Sequence, residues 1–165
     1  MAVTLSAPTA GDADEFIEEV QGSRELHHPW IDPPNTNERF AVYLGRARRD
    51  DHAAFLIRHL SCGGLVGFVN VNNIVLGALR SGYLGYAVFA SHSGRGLMSE
   101  GLRAVTETAF GSLGLHRVEA NIQPANYRSI ELVRGLGFEK EGFSRRYLWV
   151  DGDWRDHERW ALLNE

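Results

Sequence analysis

The chain has 165 residues, 44% of them hydrophobic, which suits one domain with a sizeable buried core. Its formal net charge of -4 argues against direct nucleic-acid binding, since such proteins usually carry a basic face that raises the isoelectric point. The single cysteine, Cys62, excludes an intrachain disulfide and a cysteine metal cluster, no histidine spacing is typical of zinc, and no apolar run reaches the roughly 18 residues of a membrane span. We therefore expect one domain over residues 1–165 of a soluble, unprocessed, cytoplasmic protein without a metal.

The first third of the chain predicts a short strand and two helices. The strand is "VTLSAP", and "GDADEFIEEVQGS" predicts a helix with Asp12 and Glu15 at the spacing of a capping box. The proline-rich "HHPWIDPPNTN" is too short and too aromatic for a domain boundary and predicts a functional loop. A second capping pair, Asn35 and Glu38, is expected to open the helix "NERFAVYLGRARRD".

Three runs rich in β-branched and aromatic residues follow and predict a meander of strands: "AAFLIRHL", "LVGFVNVNNIVL" and "GYLGYAVFA". A long helix should then begin near Gly94, because apolar residues recur at the three-or-four spacing of a buried helical face. "HRVEANI" predicts a strand, "NYRSIELVRGLG" a helix that Gly137 ends, and "DG" between two strand-like runs a hairpin. The interleaved pattern predicts an α/β (α+β) domain with a mixed sheet flanked by helices.

The stretch "SHSGRGLMSEGL" places two glycines directly before the long helix. A helix N-terminus offers free backbone N–H groups and about half a positive charge, so an anion can bind there without a basic side chain. Two glycines before a helix are also common in plain turns, and the local pattern leaves both interpretations open. The Walker A motif is excluded because no Gly-Lys-Ser/Thr is present, and the spacing of Gly94, Gly96 and Gly101 excludes the dinucleotide-binding fingerprint.

The order of elements around this stretch resembles the GNAT family of N-acetyltransferases, whose Gln/Arg-x-x-Gly-x-Gly/Ala loop binds the pyrophosphate of acetyl-CoA. Gly94 and Gly96 match this loop, whereas Ser91 stands in place of the usual Gln or Arg. "IQPANYRSIELVRGLGFEKEG" resembles the next signature of the family. With "HHPWIDPP" and "GFSRRYLWVDGDWRDHERWAL", these motifs resemble the ribosomal-protein-alanine acetyltransferases, of RimJ and RimL type, over nearly the whole chain. The resemblance implies a GNAT-like, mostly antiparallel sheet.

The resemblance also implies acetyl-CoA as co-substrate. The glycine loop would bind the pyrophosphate, the end of the third meander strand would pair with the pantetheine arm through its main chain, and the following short helix would lie beside that arm. The coenzyme-binding residues so implied are Val88, Phe89, Ser93, Gly94, Arg95, Gly96, Leu97, Met98, Asn126 and Ser129. The implied catalytic residues are Ser129 and Asn126. Ser129, water or no single group would protonate the leaving thiolate, since Val133 stands where many relatives have a tyrosine.

An acceptor pocket is implied at Trp30, Asn70, Asn72, Tyr86 and Tyr147, with core packing as the alternative for each aromatic residue. At neutral pH an α-amine with a pKa of about 7.7–8.0 is about one-tenth neutral, whereas a lysine with a pKa of about 10.4 is almost fully charged. The sequence shows no obvious general base, and an α-amine needs one least. We expect direct transfer in a ternary complex to the N-terminal amine of a protein, ribosomal by resemblance. A small-molecule amine acceptor, a non-catalytic acyl-CoA sensor, and a monomer or homodimer stay open.

Overall fold

The computed structural model describes all 165 residues. Its strands are β1 (Val3–Ser6), β2 (Ala53–His59), β3 (Leu65–Val75), β4 (Ser81–Val88), β5 (Arg117–Ile122), β6 (Glu139–Val150) and β7 (Asp153–Leu163). Its helices are α1 (Ala13–Gly22), α2 (Arg24–His27), α3 (Asn37–Ala47), α4 (Leu97–Phe110) and α5 (Tyr127–Gly135). The seven strands form one sheet in the order β1-β2-β3-β4-β5-β7-β6. Only β4 and β5 pair in parallel, which confirms the predicted mixed, mostly antiparallel sheet flanked by helices.

Helices cover both faces of the sheet, because the strands alternate the faces to which their side chains point. Val69 and Val71 of β3 belong to a core of 19 residues on the face that carries α4 and α5. Phe68 belongs to a smaller core of nine residues on the opposite face, where α1 and α3 pack. The longest helix, α4, has 14 residues, and no helix has the length and apolar character that a membrane crossing needs.

The predicted helices form, but neither predicted capping pair does. The carboxylates of Asp12 and Glu15 accept hydrogen bonds from the guanidinium of Arg58 on β2, at 2.6 Å and 3.0 Å, instead of closing a capping box on α1. Helix α3 is capped by Thr36, whose hydroxyl accepts from a backbone N–H at 3.2 Å, and not by Asn35. Ion pairs with Arg58 therefore replace the predicted capping box of α1, and the cap of α3 lies one residue later than predicted.

The β6–β7 hairpin forms where the sequence predicts it. Val150 pairs with Asp153 across a two-residue turn made by Asp151 and Gly152. Both turn residues are left-handed, with φ of 52° and 76°, which is the type I′ geometry that an Asp-Gly pair favours. The turn fixes the register of the long hairpin that ends the sheet.

Two buried histidines should make the fold sensitive to acid. His27 and His157 are 5% and 3% exposed, and burial lowers the pKa of both imidazoles, against a smaller opposing effect of hydrogen bonds to main-chain carbonyls. A group whose pKa is lower in the folded state binds its proton preferentially in the unfolded state, so its contribution to stability is lost as the pH falls. We expect the free energy of unfolding to decrease as the pH falls below about 6.5.

Urea titrations across that pH range check this expectation. The His157→Gln variant should lose part of the wild-type pH dependence, because glutamine does not titrate. His116→Gln is the matched control, since His116 is exposed and should leave the dependence unchanged. An equal pH dependence in His157→Gln and the wild type would show that His157 titrates alike in both states.

Candidate active site

The two parallel strands separate and leave a gap in the sheet. Pairing between β4 and β5 ends at Leu84 and Ala120. Strand β4 continues to Val88, whereas β5 ends at Ile122 and keeps its pairing with β7. The end of β4 therefore has a partner strand on one side only. This opening, bordered by residues 85–88 and the end of β5, is called the strand gap below.

Main-chain groups of β4 face the strand gap. The N–H of Phe89 donates to the carbonyl of Val66 at 2.8 Å, so the main chain of Phe89 points toward β3. Because successive strand residues direct their N–H and C=O groups to opposite edges, those of Tyr86 and Val88 point toward the gap, where the carbonyl of Val88 already accepts from Nε2 of His27 at 2.8 Å. The Phe89 carbonyl accepts from the N–H of His92 at 3.1 Å. Both groups of Phe89 thus have partners inside the protein, and its pairing with the coenzyme stays a prediction.

Two glycines shape the loop between β4 and α4. Gly94 and Gly96 have φ of 76° and 74°, in the left-handed region that glycine adopts without strain. A Cβ at either position would meet open space, so backbone conformation, and not lack of room, favours glycine. Arg95 lies exposed between them. The N–H of Ser93 donates to the carbonyl of Ala90 at 3.3 Å and so belongs to the preceding turn.

Free main-chain donors begin α4. Gly96 is its N-cap, and no side chain accepts from the first turn. The first helical hydrogen bond runs from the N–H of Glu100 to the carbonyl of Gly96 at 3.2 Å, which leaves the N–H groups of residues 97–99 without a helical partner. The side chains of Leu97 and Met98 are each 7% exposed and belong to the core. Only their main chain can contact an anion, and the helix dipole favours one there.

Ser91, which stands where the family has Gln or Arg, has a contact of its own. Its hydroxyl donates to the carboxylate of Glu19 on α1 at 2.8 Å. The residue that departs from the family pattern therefore connects the turn before the glycine loop to α1.

A tyrosine and a serine meet at the strand gap. The hydroxyls of Tyr86, near the end of β4, and Ser129, in the first turn of α5, are 2.6 Å apart. Asn126 caps α5 and accepts from the N–H of Ser129 at 3.4 Å, which fixes the position of that serine. Burial raises the pKa of Tyr86 to about 12, against a smaller opposing effect of the Ser129 hydrogen bond. The phenol therefore stays protonated at neutral pH and can supply a proton through Ser129.

A cavity of about 470 Å³ has Tyr86 as one of its lining residues. Its walls are residues 31–34, one side of α3, and Phe68, Asn70, Gly85 and Tyr86 of the sheet. The amide oxygen of Asn70 accepts from the hydroxyl of Tyr43 on α3 at 2.9 Å. Two residues of the predicted acceptor pocket, Asn70 and Tyr86, thus line one cavity.

The other three predicted acceptor residues lie outside this cavity. Trp30 follows α2, where its N–H donates to the carbonyl of His27 at 2.7 Å. Asn72 lies two residues beyond Asn70 on β3. Tyr147 is on β6, with its ring 6.3 Å from that of His157. Their roles in acceptor binding stay predictions.

Helix α3 supplies cavity residues that the sequence did not reveal. Glu38, Val42 and Arg46 recur at a spacing of four on one face, and Val42 is 67% exposed. In the sequence, the only feature that could have indicated this wall was an apolar residue placed between two charged ones on the same helical face. Asp32 and Arg39, also in the wall, form an ion pair at 3.1 Å. The charged side chains of the wall are two acids and two bases, so the cavity has balanced charge.

The fold and the site together define an acyltransferase of GNAT architecture. The family model described as "Acetyltransferase (GNAT) domain" matches residues 2–139. The chain therefore belongs to the GNAT acetyltransferase family.

Relatives and solved structures agree with this assignment. The probable N-acetyltransferase YjcK of Bacillus subtilis is 37% identical over 127 residues, 77% of this chain and 70% of that protein. The [ribosomal protein uS5]-alanine N-acetyltransferase of Escherichia coli is 43% identical over 98 residues, 59% of this chain and half of that enzyme. Mycobacterium smegmatis RimJ in complex with CoA-disulfide superposes with a TM-score of 0.89 at 29% identity, covering 98% of this chain and 81% of that one.

A spermidine N-acetyltransferase shares the fold as well. The Vibrio cholerae enzyme in complex with CoA and spermine superposes with a TM-score of 0.83 at 21% identity, covering 98% of this chain and 95% of that one. This likeness concerns the fold alone. The chain is an N-acetyltransferase of the GNAT family.

Proposed function

We propose that the protein transfers the acetyl group of acetyl-CoA to the N-terminal α-amine of a protein. The pyrophosphate would bind the free N–H groups at the start of α4 and in the glycine loop. The pantetheine arm would lie along β4 and pair with the main chain of Val88. This arrangement directs the thioester into the strand gap, beside the hydroxyls of Tyr86 and Ser129. A cytoplasmic site of action fits a ribosomal acceptor.

In the proposed reaction the amine attacks the thioester carbonyl directly. The neutral nitrogen forms the new N–C bond, the C–S bond breaks, and the amine releases a proton to water. The departing thiolate takes a proton from Ser129, Tyr86 replaces it, and Tyr86 regains a proton from the water that received the amine's proton. Asn126 acts indirectly, because it caps the helix turn that holds Ser129.

The balanced charge of the cavity is the observation that favours an α-amine. A polyamine carries several positive charges and needs an excess of carboxylates, whereas this wall pairs Asp32 with Arg39 and opposes Glu38 by Arg46. A peptide N-terminus brings one amine and a neutral backbone. The likeness to the alanine acetyltransferase of Escherichia coli supports a ribosomal protein as the acceptor.

Thiol release from acetyl-CoA tests the proposed acceptor. We expect release with a peptide that has a free N-terminal alanine, and none with spermidine or with the same peptide blocked at its N-terminus and carrying an internal lysine. The kcat/KM should rise with pH and level off at about pH 9, where the α-amine is almost fully neutral. Faster release with spermidine, or a rise that continues to about pH 10, would contradict the proposal. Coenzyme binding without release for any amine would identify a sensor.

A further inference from the structure

Residues 19–34 join the two sides of the strand gap and are called the bridging segment below. On the β4 side, the hydroxyl of Ser23 accepts from the N–H of Ala90 at 2.9 Å. On the β5 side, the side chain of Gln123 donates to the carbonyl of Pro29 at 3.1 Å. Its last four residues line the cavity beside Tyr86. One short segment therefore contacts both borders of the gap and forms a cavity wall.

His27 makes the central contact of the bridging segment. Its Nε2 lies 2.8 Å from the carbonyl oxygen of Val88, which can only accept, so the ring carries its proton on Nε2. The side chain is 5% exposed, and its ring centroid lies 6.2 Å from that of Phe89. Burial lowers the pKa of the imidazole, so the ring is neutral at physiological pH.

His27 is a poor residue for stability alone. Its Nδ1 is buried and has no hydrogen-bonding partner within the protein. A buried polar atom without a partner costs free energy that an apolar side chain of similar size would not cost. The imidazole does supply one hydrogen-bond donor, Nε2, to the carbonyl of Val88, the last residue of β4. That residue borders the strand gap, where β4 has no partner strand.

We propose that His27 is a positioning residue for the coenzyme. Its hydrogen bond holds the carbonyl of Val88, so that the N–H of Val88 stays directed into the strand gap. The same bond connects the acceptor-side cavity wall to the donor-side strand. Without it, the main chain of Val88 would be held by β3 alone until the coenzyme binds, and the cost of fixing its gap side on binding would reduce the affinity. The inference rests on the coenzyme site of the proposed function, and not on the identity of the acceptor.

Calorimetric titration with CoA tests this inference on the full-length chain. His27→Leu keeps an apolar contact with Phe89 but removes the donor, and we expect it to bind CoA about tenfold more weakly. His27→Gln places an amide N–H near the position of Nε2 and should restore the affinity to within about threefold of the wild type. His28→Leu is the matched control: this neighbouring side chain is 67% exposed and should leave the affinity unchanged.

Thermal unfolding of the same variants separates positioning from a structural role. The Tm of His27→Leu should stay level or rise, because the variant loses the unpartnered Nδ1. Equal CoA affinity in His27→Leu and the wild type would overturn the inference, as would a joint fall of affinity and Tm, or a glutamine variant no better than leucine. A wild type that does not bind CoA would overturn it too. A wild type that binds CoA but acetylates no peptide would refute only the proposed acceptor.

Discussion

Gly96→Glu is expected to weaken CoA binding by at least about a hundredfold while the protein stays folded, because like charges brought together cost several kcal/mol. The new carboxylate would lie beside the free N–H groups that begin α4 and would repel a pyrophosphate there. A Cβ at Gly96 would meet no atom within 4 Å beyond its chain neighbours, so the change has room for a side chain to begin there. Its only structural cost is the left-handed backbone, with φ of 74°.

Gly77→Glu provides a closely matched control. Gly77 also has φ of 74°, is exposed, and has open space where a Cβ would extend, but it lies between β3 and β4 and away from the glycine loop. Both variants should lose similar stability, and only Gly96→Glu should lose CoA. If the two variants bound CoA equally well, the start of α4 would not be the pyrophosphate site.

The second large effect is expected at the hydroxyl pair. Ser129→Ala and Tyr86→Phe should each lower kcat about a hundredfold, which is typical for the loss of a general acid. The two hydroxyls lie 2.6 Å apart and would act as one proton path. The double variant should therefore be no slower than the slower single variant. Steady-state thiol release at saturating acetyl-CoA measures all three.

Tyr127→Phe is the control for the loss of a phenol near Ser129. Tyr127 begins the same helix but is 72% exposed, and its removal should leave kcat unchanged. Effects of the two single variants that multiply in the double variant would contradict a shared proton path. A rise in KM with an unchanged kcat would assign the pair to binding alone.

Hydrophobic periodicity predicted the elements well, because it is a local property of each segment. The predicted capping box of α1 was wrong because its two residues have a partner that is distant in the sequence. Asp12 and Glu15 contact Arg58, which lies 46 and 43 positions further along the chain, and no local motif reports such a partner. Strand order and the separation of β4 from β5 depend on pairing across the whole chain and could not be derived from any one segment.

The same difference between local and long-range properties applies to the residues of the candidate site. Gly94 and Gly96 could be named as a candidate phosphate loop, because such a loop is one contiguous stretch, and that role stays a prediction. Tyr86 and Ser129 could be named but not paired, since 43 residues separate them. The contact of His27 with the end of β4 spans 61 residues, and a lone buried histidine gives no sequence signal for its partner. Single candidate residues could therefore be named from the sequence, whereas the contacts between them could not.

The central claim is that main-chain donors at the start of α4 hold the diphosphate of the coenzyme. Calorimetric titration with CoA and with pantetheine, which has the same thiol arm but no diphosphate, tests it most directly. CoA should bind one site per chain, and pantetheine should bind at least about a hundredfold more weakly, a difference of about 2.7 kcal/mol. Equal affinities, or no heat with CoA from well-folded protein, would contradict it.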